Sequence, residues 1–405
     1  MALSSLFQGS VSALACTPTS FHYPEILGAT FLSVETNLVS NYSGFITHFD
    51  YGSHQNVNLA NVSFYNVMVS YTRLGQNNNI HSQVWLPLDN WNGPHGLTVN
   101  LYSPHNFGSV SLNDAAIIGK SITEDFYDQP PTHSYFSGCS GGGRQAMMLA
   151  QRYPDAYNGI VADALAVNWP EFFVAMYWPR FLMDKLGVYQ HPCKLEIICD
   201  QAVAACDGDY GVIDLLITRP ELKMWKMSVA AATIAQKAWK GAETADKSPL
   251  WYGMDQSTTL TGGAALVNTE YTADGVCTPK TFFLSTEWIK VFILKDPNAN
   301  LTALNQRDYE IIFRDSVEEY SSFLATNHPD LAEFHRRGEQ LLSWHGTSDV
   351  LIALGGTTDY YEKVTAVDSR VHDYFRLFIA PGLSHCFGGD GVYPHTAFDA
   401  AVKMG

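Results

Sequence analysis

Between Tyr135 and Arg152 the chain reads as a short apolar strand, an abrupt glycine-flanked turn and a helix, and this run constrains the fold more than any other. The turn, Ser137-Gly138-Cys139-Ser140-Gly141-Gly142-Gly143-Arg144, matches G-x-S-x-G. That pattern describes a sharp strand-to-helix elbow that lifts a serine hydroxyl above the end of a sheet. Glycines flank the serine because a side chain there would collide with neighbouring backbone. Tyr135 and Phe136 suit the buried strand before the turn. Residues 144–152 are good helix formers, and the helix they predict ends near Tyr153-Pro154.

A chain of 405 residues can bury a large core, as one elaborated domain or as two. Its 46% hydrophobic and 16% charged content describes a folded globule rather than a disordered chain. The net charge of −16 argues against nucleic acid and anionic membrane as partners, since both require basic patches. No apolar run reaches the length of a membrane span, and no fixed-period repeat is visible. Residues 1–15 are mildly apolar and end in small residues, but they lack a basic n-region and their apolar core is broken. They read as a weak or truncated signal peptide. Sequons at Asn41, Asn61 and Asn300 permit N-glycosylation. Seven cysteines, at 16, 139, 193, 199, 206, 277 and 386, leave at least one unpaired within the chain. The absence of any C-x-x-C pair argues against a zinc cluster.

From Phe31 to Leu88 the chain is rich in β-branched residues with strand-like alternation, as in Val67-Met68-Val69-Ser70-Tyr71. Leu112 to Phe126 predicts a helix with Ala115, Ile118, Gly119 and Ile122 on one face. Ile160-Val161-Ala162 is a further strand. After Asn168-Trp169-Pro170 helical patterns dominate to about residue 330, with helices expected over Phe172–Leu186, Ile197–Ala205 and Met227–Trp239. An insertion of this kind serves as a lid over a hydrolase site. Strands resume at 340–346 and 374–379. The expected fold is α/β: one twisted sheet in two parts, residues 1–167 and 331–405, interrupted by a mostly helical lid over 168–330.

A nucleophilic serine needs a base to take its proton and an acid to orient that base. In α/β-hydrolases the acid and then the histidine follow the serine, each on a loop after a strand. Asp349, just after the strand holding Trp344-His345, fits the acid; on its own it also reads as a helix cap. His385, just after the 374–379 strand, fits the base. His345 is a rival base, but it falls inside a buried strand, where a structural role is expected. Cys139 precedes the serine and Cys386 follows the histidine. With both assignments in place these cysteines lie close, and a disulfide would tie the serine loop to the histidine loop; two buried thiols are the alternative.

This arrangement resembles the tannase and feruloyl esterase family of secreted fungal and bacterial esterases, which bridges a Cys-Ser pair and a His-Cys pair by a disulfide. The likeness extends over Gln83–Pro87 with Trp91-Asn92-Gly93, 117–127, 135–169, Trp251-Tyr252-Gly253, 288–297, Trp344-His345-Gly346 and 374–389. It implies an α/β-hydrolase with a large lid that cleaves esters of aromatic acids such as ferulic or gallic acid. The substrate would be a small molecule or attached to cell wall, with no organic cofactor and an extracellular location. Nothing in the sequence specifies an oligomeric state.

The chain departs from the family pattern in three places. The family's glycine-rich loop, which supplies an oxyanion N–H, is expected soon after Gly93; here Pro94-His95-Gly96 runs almost directly into Val99-Asn100-Leu101-Tyr102, so that loop and neighbouring strands are missing. Gly141 remains as the one nameable oxyanion donor, and losing the other would cost a factor of roughly 10² to 10³ in rate. The family's calcium loop is shortened to Cys206-Asp207-Gly208-Asp209-Tyr210, with Tyr210 where an aspartate ligand is expected. Asp207 and Asp209 are the candidate ligands, and an acidic solvated turn is the competing reading. Tyr65 stands where the family has a cysteine, leaving Cys16 without that partner, and Cys206 lacks the cysteine that closes the loop. Cys193, Cys199 and Cys277 carry no assigned partners. The functional expectation is an aromatic-acid esterase; the alternative is a catalytically impaired relative without its oxyanion loop.

Overall fold

The computed structural model describes residues 16–46, 56–75, 78–88, 95–98, 105–206, 229–262, 265–280 and 282–404. The N-terminal run 1–15, the segments on either side of His95–Thr98, and Asp207 and Asp209 lie outside them. Two long β-branched segments, β1 (Ala29–Ile46) and β2 (Val57–Arg73), pair antiparallel. Strands β3 (Ile80–Pro87) and β4 (His95–Thr98) extend them into a four-stranded sheet, order β1-β2-β3-β4. Helix α1 (Ser111–Tyr127) follows, then β5 (Tyr135–Cys139), α2 (Gly141–Arg152) and β6 (Gly159–Asp163). Where the sequence suggests one twisted sheet in two parts, the described strands of those parts form two separate sheets of four strands each. No described strand lies between β4 and β5 to pair with both.

Helix α1 joins the two sheets through adjacent faces. Ile118, Ile122 and Phe126 pack with Val67, Val69, Ile80 and Leu86 of the antiparallel sheet. Leu112 and Ala116 pack with Met147, Ile160 and Leu341 beneath the parallel one. Buried Asp114 on α1 accepts the Tyr71 hydroxyl at 3.0 Å and Arg73 Nε at 3.1 Å, which pairs its charge across the same junction.

After β6 the chain leaves the sheet through α3 (Trp169–Ala175), α4 (Trp178–Leu186), α5 (Pro192–Cys206), α6 (Val229–Lys240), the hairpin β7 (Thr269–Tyr271) and β8 (Cys277–Pro279), α7 (Phe283–Glu287), α8 (Gln306–Leu324) and α9 (Ala332–Arg336). The single helix expected over 172–186 is two. It breaks at Met176-Tyr177, and Pro179 opens the second helix, where its missing N–H costs no hydrogen bond. The aromatic residues of this segment are largely core. Phe172, Phe173, Trp178, Phe181, Trp288 and Tyr309 are all buried in one cluster, each contributing about 1.5–3 kcal/mol by removal from water. Trp178 and Phe181 lie 5.2 and 5.0 Å from the Tyr309 ring.

The chain returns at β9 (Gln340–Gly346), then α10 (Leu354–Val367), β10 (Phe375–Ala380) and α11 (Ala397–Met404). The second sheet runs β10-β9-β6-β5 with every pair parallel. Its middle strands read as near-continuous apolar runs because both faces are covered: all of β6 is buried, and all of β9 beyond Gln340. Parallel strands bring their carboxyl ends to one edge, where ligands bind in sheets of this kind. No helix among the described residues is long and apolar enough to cross a membrane.

Candidate active site

Ser140 follows directly on the carboxyl end of β5, Asp349 lies three residues past β9, and His385 lies five past β10. The parallel topology therefore delivers all three to the same edge. Ser140 has φ 62° and ψ −118°, a conformation that L-residues rarely adopt. It is held there by its N–H donating to Asp163 O at 2.9 Å, and by its own carbonyl accepting from Arg144 N at 3.0 Å. Two glycines make the turn possible through close approach. A Cβ on Gly138 would lie 2.7 Å from the Gly142 carbonyl carbon, and one on Gly143 would lie 2.4 Å from Asp163 O. Gly143→Ala is expected to push α2 off β6, lowering stability by about 1–3 kcal/mol and kcat at least tenfold. Gly142→Ala, whose Cβ meets nothing within 4 Å, keeps its melting temperature. Thermal melts of the two variants check the contrast.

Helix α2 begins at Gly141, so its first N–H groups have no partner within the helix and lie beside the serine. Space above Gly141 and Gly142 is open. A helix amino terminus and its exposed N–H groups suit a developing negative charge. The segment after Gly93, where the second donor is expected, is outside the described residues apart from β4.

Asp349 is 2% exposed and has both carboxylate oxygens occupied. Oδ1 accepts the N–H groups of Leu351 at 2.8 Å and Ile352 at 2.9 Å, just before α10 begins. Oδ2 lies 2.8 Å from His385 Nδ1 and 3.0 Å from His345 Nε2. Burial alone would raise the Asp349 pKa. The charge of His385 and the hydrogen bonds from both histidines outweigh it and hold the carboxyl well below the usual carboxylate range. A depressed folded pKa contributes stability that is complete above the ordinary carboxylate range and is lost as pH falls through the depressed value.

The two histidines on Asp349 differ in access. The His345 side chain is 0% exposed and that of His385 14%. With Nδ1 committed to Asp349, Nε2 is the nitrogen through which His385 can exchange a proton with another group. Among the described residues no hydrogen bond links the Ser140 hydroxyl to that ring. Such contacts are commonly long before substrate binds.

Cys139 and Cys386 form a disulfide with a Cα–Cα distance of 5.9 Å across 247 residues of sequence. Ser140 and His385 are the immediate neighbours of the bridged residues, so the bridge brings the two loops together. The histidine loop is also laced to the acid loop: Thr347 N donates to Ala380 O, Ser348 N to Leu383 O, and Gly382 N to Thr347 Oγ1, at 2.9–3.0 Å. Cys16, Cys193, Cys199 and Cys277 carry free thiols.

Sequence reasoning missed Arg144. It is 0% exposed, and its guanidinium donates to Gly108 O at 2.8 Å and Phe107 O at 3.1 Å. It also lies 4.9 Å from the Trp169 ring. Burial pushes it down to about 10. Its hydrogen bonds run to these carbonyls and to the Thr326 hydroxyl, so it clamps the elbow helix to residues 107–108. Nothing local in the sequence marks an arginine in a helix of good formers for burial.

A narrow apolar cleft lies within the helical segment and reaches the acid loop at Val350 and Leu351, with Phe172, Trp178, Trp251 and Leu260 among its walls. The walls hold none of Ser140, Asp349 or His385, so the geometry does not make it the ester site.

A family model described as tannase and feruloyl esterase matches residues 88–247 and 229–400. A probable feruloyl esterase from Arthroderma benhamiae is 34% identical over 337 residues, covering 78% of this chain and 62% of the relative. Feruloyl esterase B from Aspergillus niger is 27% identical over 305 residues, covering 71% of this chain and 56% of its own. The chain thus spans about three-fifths of the length of these relatives. Two solved structures share the fold at 19% identity. Tannin acyl hydrolase from Aspergillus niger has a TM-score of 0.81 over 95% of this chain and 85% of that one. Feruloyl esterase B from Aspergillus oryzae has a TM-score of 0.68 over 92% and 84%. By the extent of the family match and the identity to its relatives, this chain belongs to the tannase and feruloyl esterase family.

Proposed function

We propose that the protein is a carboxylic ester hydrolase acting on esters of aromatic acids, hydroxycinnamic or gallic, through an acyl-enzyme on Ser140. The observation that carries this is the Cys139–Cys386 bridge, which joins the loop of the elbow serine to the loop of an Asp349-bound His385. Ser140 Oγ attacks the ester carbonyl carbon while His385 Nε2 takes its proton. The oxyanion is met by the Gly141 N–H. Collapse breaks the bond to the alcohol oxygen, which leaves with the proton from His385. Water then attacks the acyl-enzyme with its proton going to Nε2, and the acid and free serine are released. Asp349 keeps the histidine in the Nδ1–H tautomer and stabilises the imidazolium.

The names of the relatives, feruloyl esterase and tannin acyl hydrolase, support an aromatic acyl group. In this reading residues 168–330 are a lid between two parts of the catalytic domain, 1–167 and 331–405. The region missing after Gly93 is its shortened oxyanion segment. The disulfide suits an oxidising, extracellular setting. The chemistry needs no cofactor.

The test is hydrolysis of methyl ferulate and methyl gallate beside an aliphatic methyl ester. Turnover of at least one aromatic ester, with the aliphatic ester slower, is the expected result. Folded protein that neither turns over an ester nor reacts with a serine-directed phosphonate would replace this reading with that of a non-catalytic relative.

A further inference from the structure

His345 does more than fill a buried strand. It sits inside β9 with no exposed surface, yet three polar groups meet its ring. Nε2 lies 3.0 Å from Asp349 Oδ2 and 3.1 Å from Ile352 O; Nδ1 lies 2.8 Å from Thr357 Oγ1 on α10. A bare Nε2 would set its lone pair against a carboxylate oxygen and a carbonyl oxygen together. Nε2 therefore carries the proton, and in the neutral ring the Thr357 hydroxyl donates to Nδ1. The hydroxyl fixes the tautomer, and the ring presents a donor to the oxygen that also receives His385.

We propose that His345 is a positioning residue for the acid–base pair, a sealed histidine that anchors Asp349 Oδ2 opposite His385 with its tautomer set by Thr357. This rests on the reading of Ser140, Asp349 and His385 as an acyl-transfer triad. The need is geometric. Asp349 lies on a turn, and among the described residues its Oδ1 is held by amides of that same turn, Leu351 and Ile352. The bond from β9 ties its other oxygen to the rigid sheet. The ionisable groups facing the carboxylate are His345 and His385. A donor on Oδ2 also withdraws charge from the oxygen that holds the His385 proton, so His345 moderates how strongly Asp349 pulls on that proton.

The experiment compares His345→Leu, which removes the donor, with His345→Gln, which keeps an N–H at the Nε2 position, and with Thr357→Val. His345→Leu is expected to lower kcat by about 10- to 100-fold, on the scale of losing the hydrogen-bond partner that orients a metal-bound histidine. KM changes by less than about threefold, since the residue cannot touch substrate. The acid limb of the kcat/KM profile moves to higher pH, because Asp349 relieved of one donor holds the His385 proton more tightly. His345→Gln restores kcat to within about fivefold of the parent and returns the limb. Thr357→Val moves the limb the same way by a smaller amount, and decides the matter if the leucine variant does not fold.

Proton NMR of the His385 ring N–H, titrated with pH, reads the same shift without turnover. A parent protein with no Ser140-dependent activity would therefore remove the functional reading and still leave His345 tested. A His385 titration unmoved in folded Leu and Val variants would overturn the proposal, as would a loss confined to KM or stability.

Discussion

Replacing Ser140 with alanine is expected to lower kcat on an aromatic ester by about 10⁴- to 10⁶-fold, the scale of nucleophile loss in other serine hydrolases. The melting temperature should hardly move. The elbow is strained by the Cβ at φ 62°, and alanine keeps that Cβ. The bonds that hold the turn, Ser140 N to Asp163 O and Arg144 N to Ser140 O, are made by backbone and survive. Only the hydroxyl is lost, so activity and stability separate. The residual rate would come from the Gly141 N–H and binding alone, which in comparable enzymes still exceed water by 10³–10⁴. Active-site titration with a phosphonate beside steady-state hydrolysis makes the measurement. A variant that keeps a tenth of the parent activity would show that the ester is cleaved elsewhere.

Parts of this arrangement are legible in sequence because their causes are local. The elbow announces itself through Gly138 and Gly143, each forced by a backbone atom within 3 Å of where a side chain would begin. Strands β6 and β9 stand out as apolar runs because both faces are covered. Elements whose cause lies far along the chain are not legible. Arg144 is buried because carbonyls 107 and 108 meet it, and no helical pattern carries that information. The break between α3 and α4 does have a local cause, Pro179, which fits the first turn of a helix and not its interior. His345 illustrates the middle ground. Its burial follows from its strand, but its bond to Asp349 depends on the loop after Gly346 carrying the carboxylate back over the strand end.

The bridge between Cys139 and Cys386 joins the nucleophile loop to the histidine loop, and its removal in a Cys139→Ser, Cys386→Ser double variant should act on both stability and rate. For a closed loop of 247 residues the chain-entropy estimate is about 5.5 kcal/mol, while removing a native bridge usually costs about 2–5. With the unfolding entropy of a chain of 405 residues, that corresponds to a fall in melting temperature of about 2–6 °C. The effect on rate should be larger in proportion. The histidine loop stays on the acid loop through Thr347, Ser348 and Gly382, so the Asp349–His385 pair persists without the bridge. The register of that pair against Ser140 is what the bridge alone supplies among these contacts, and a displacement of about 1 Å there costs on the order of 10²-fold. The double variant is therefore expected to lose at least that much in kcat while the His385 ring N–H signal is retained. Parent protein treated with a thiol reductant should lose activity in step with reduction. A double variant with kcat within twofold of the parent would show that the fold alone sets the serine–histidine geometry.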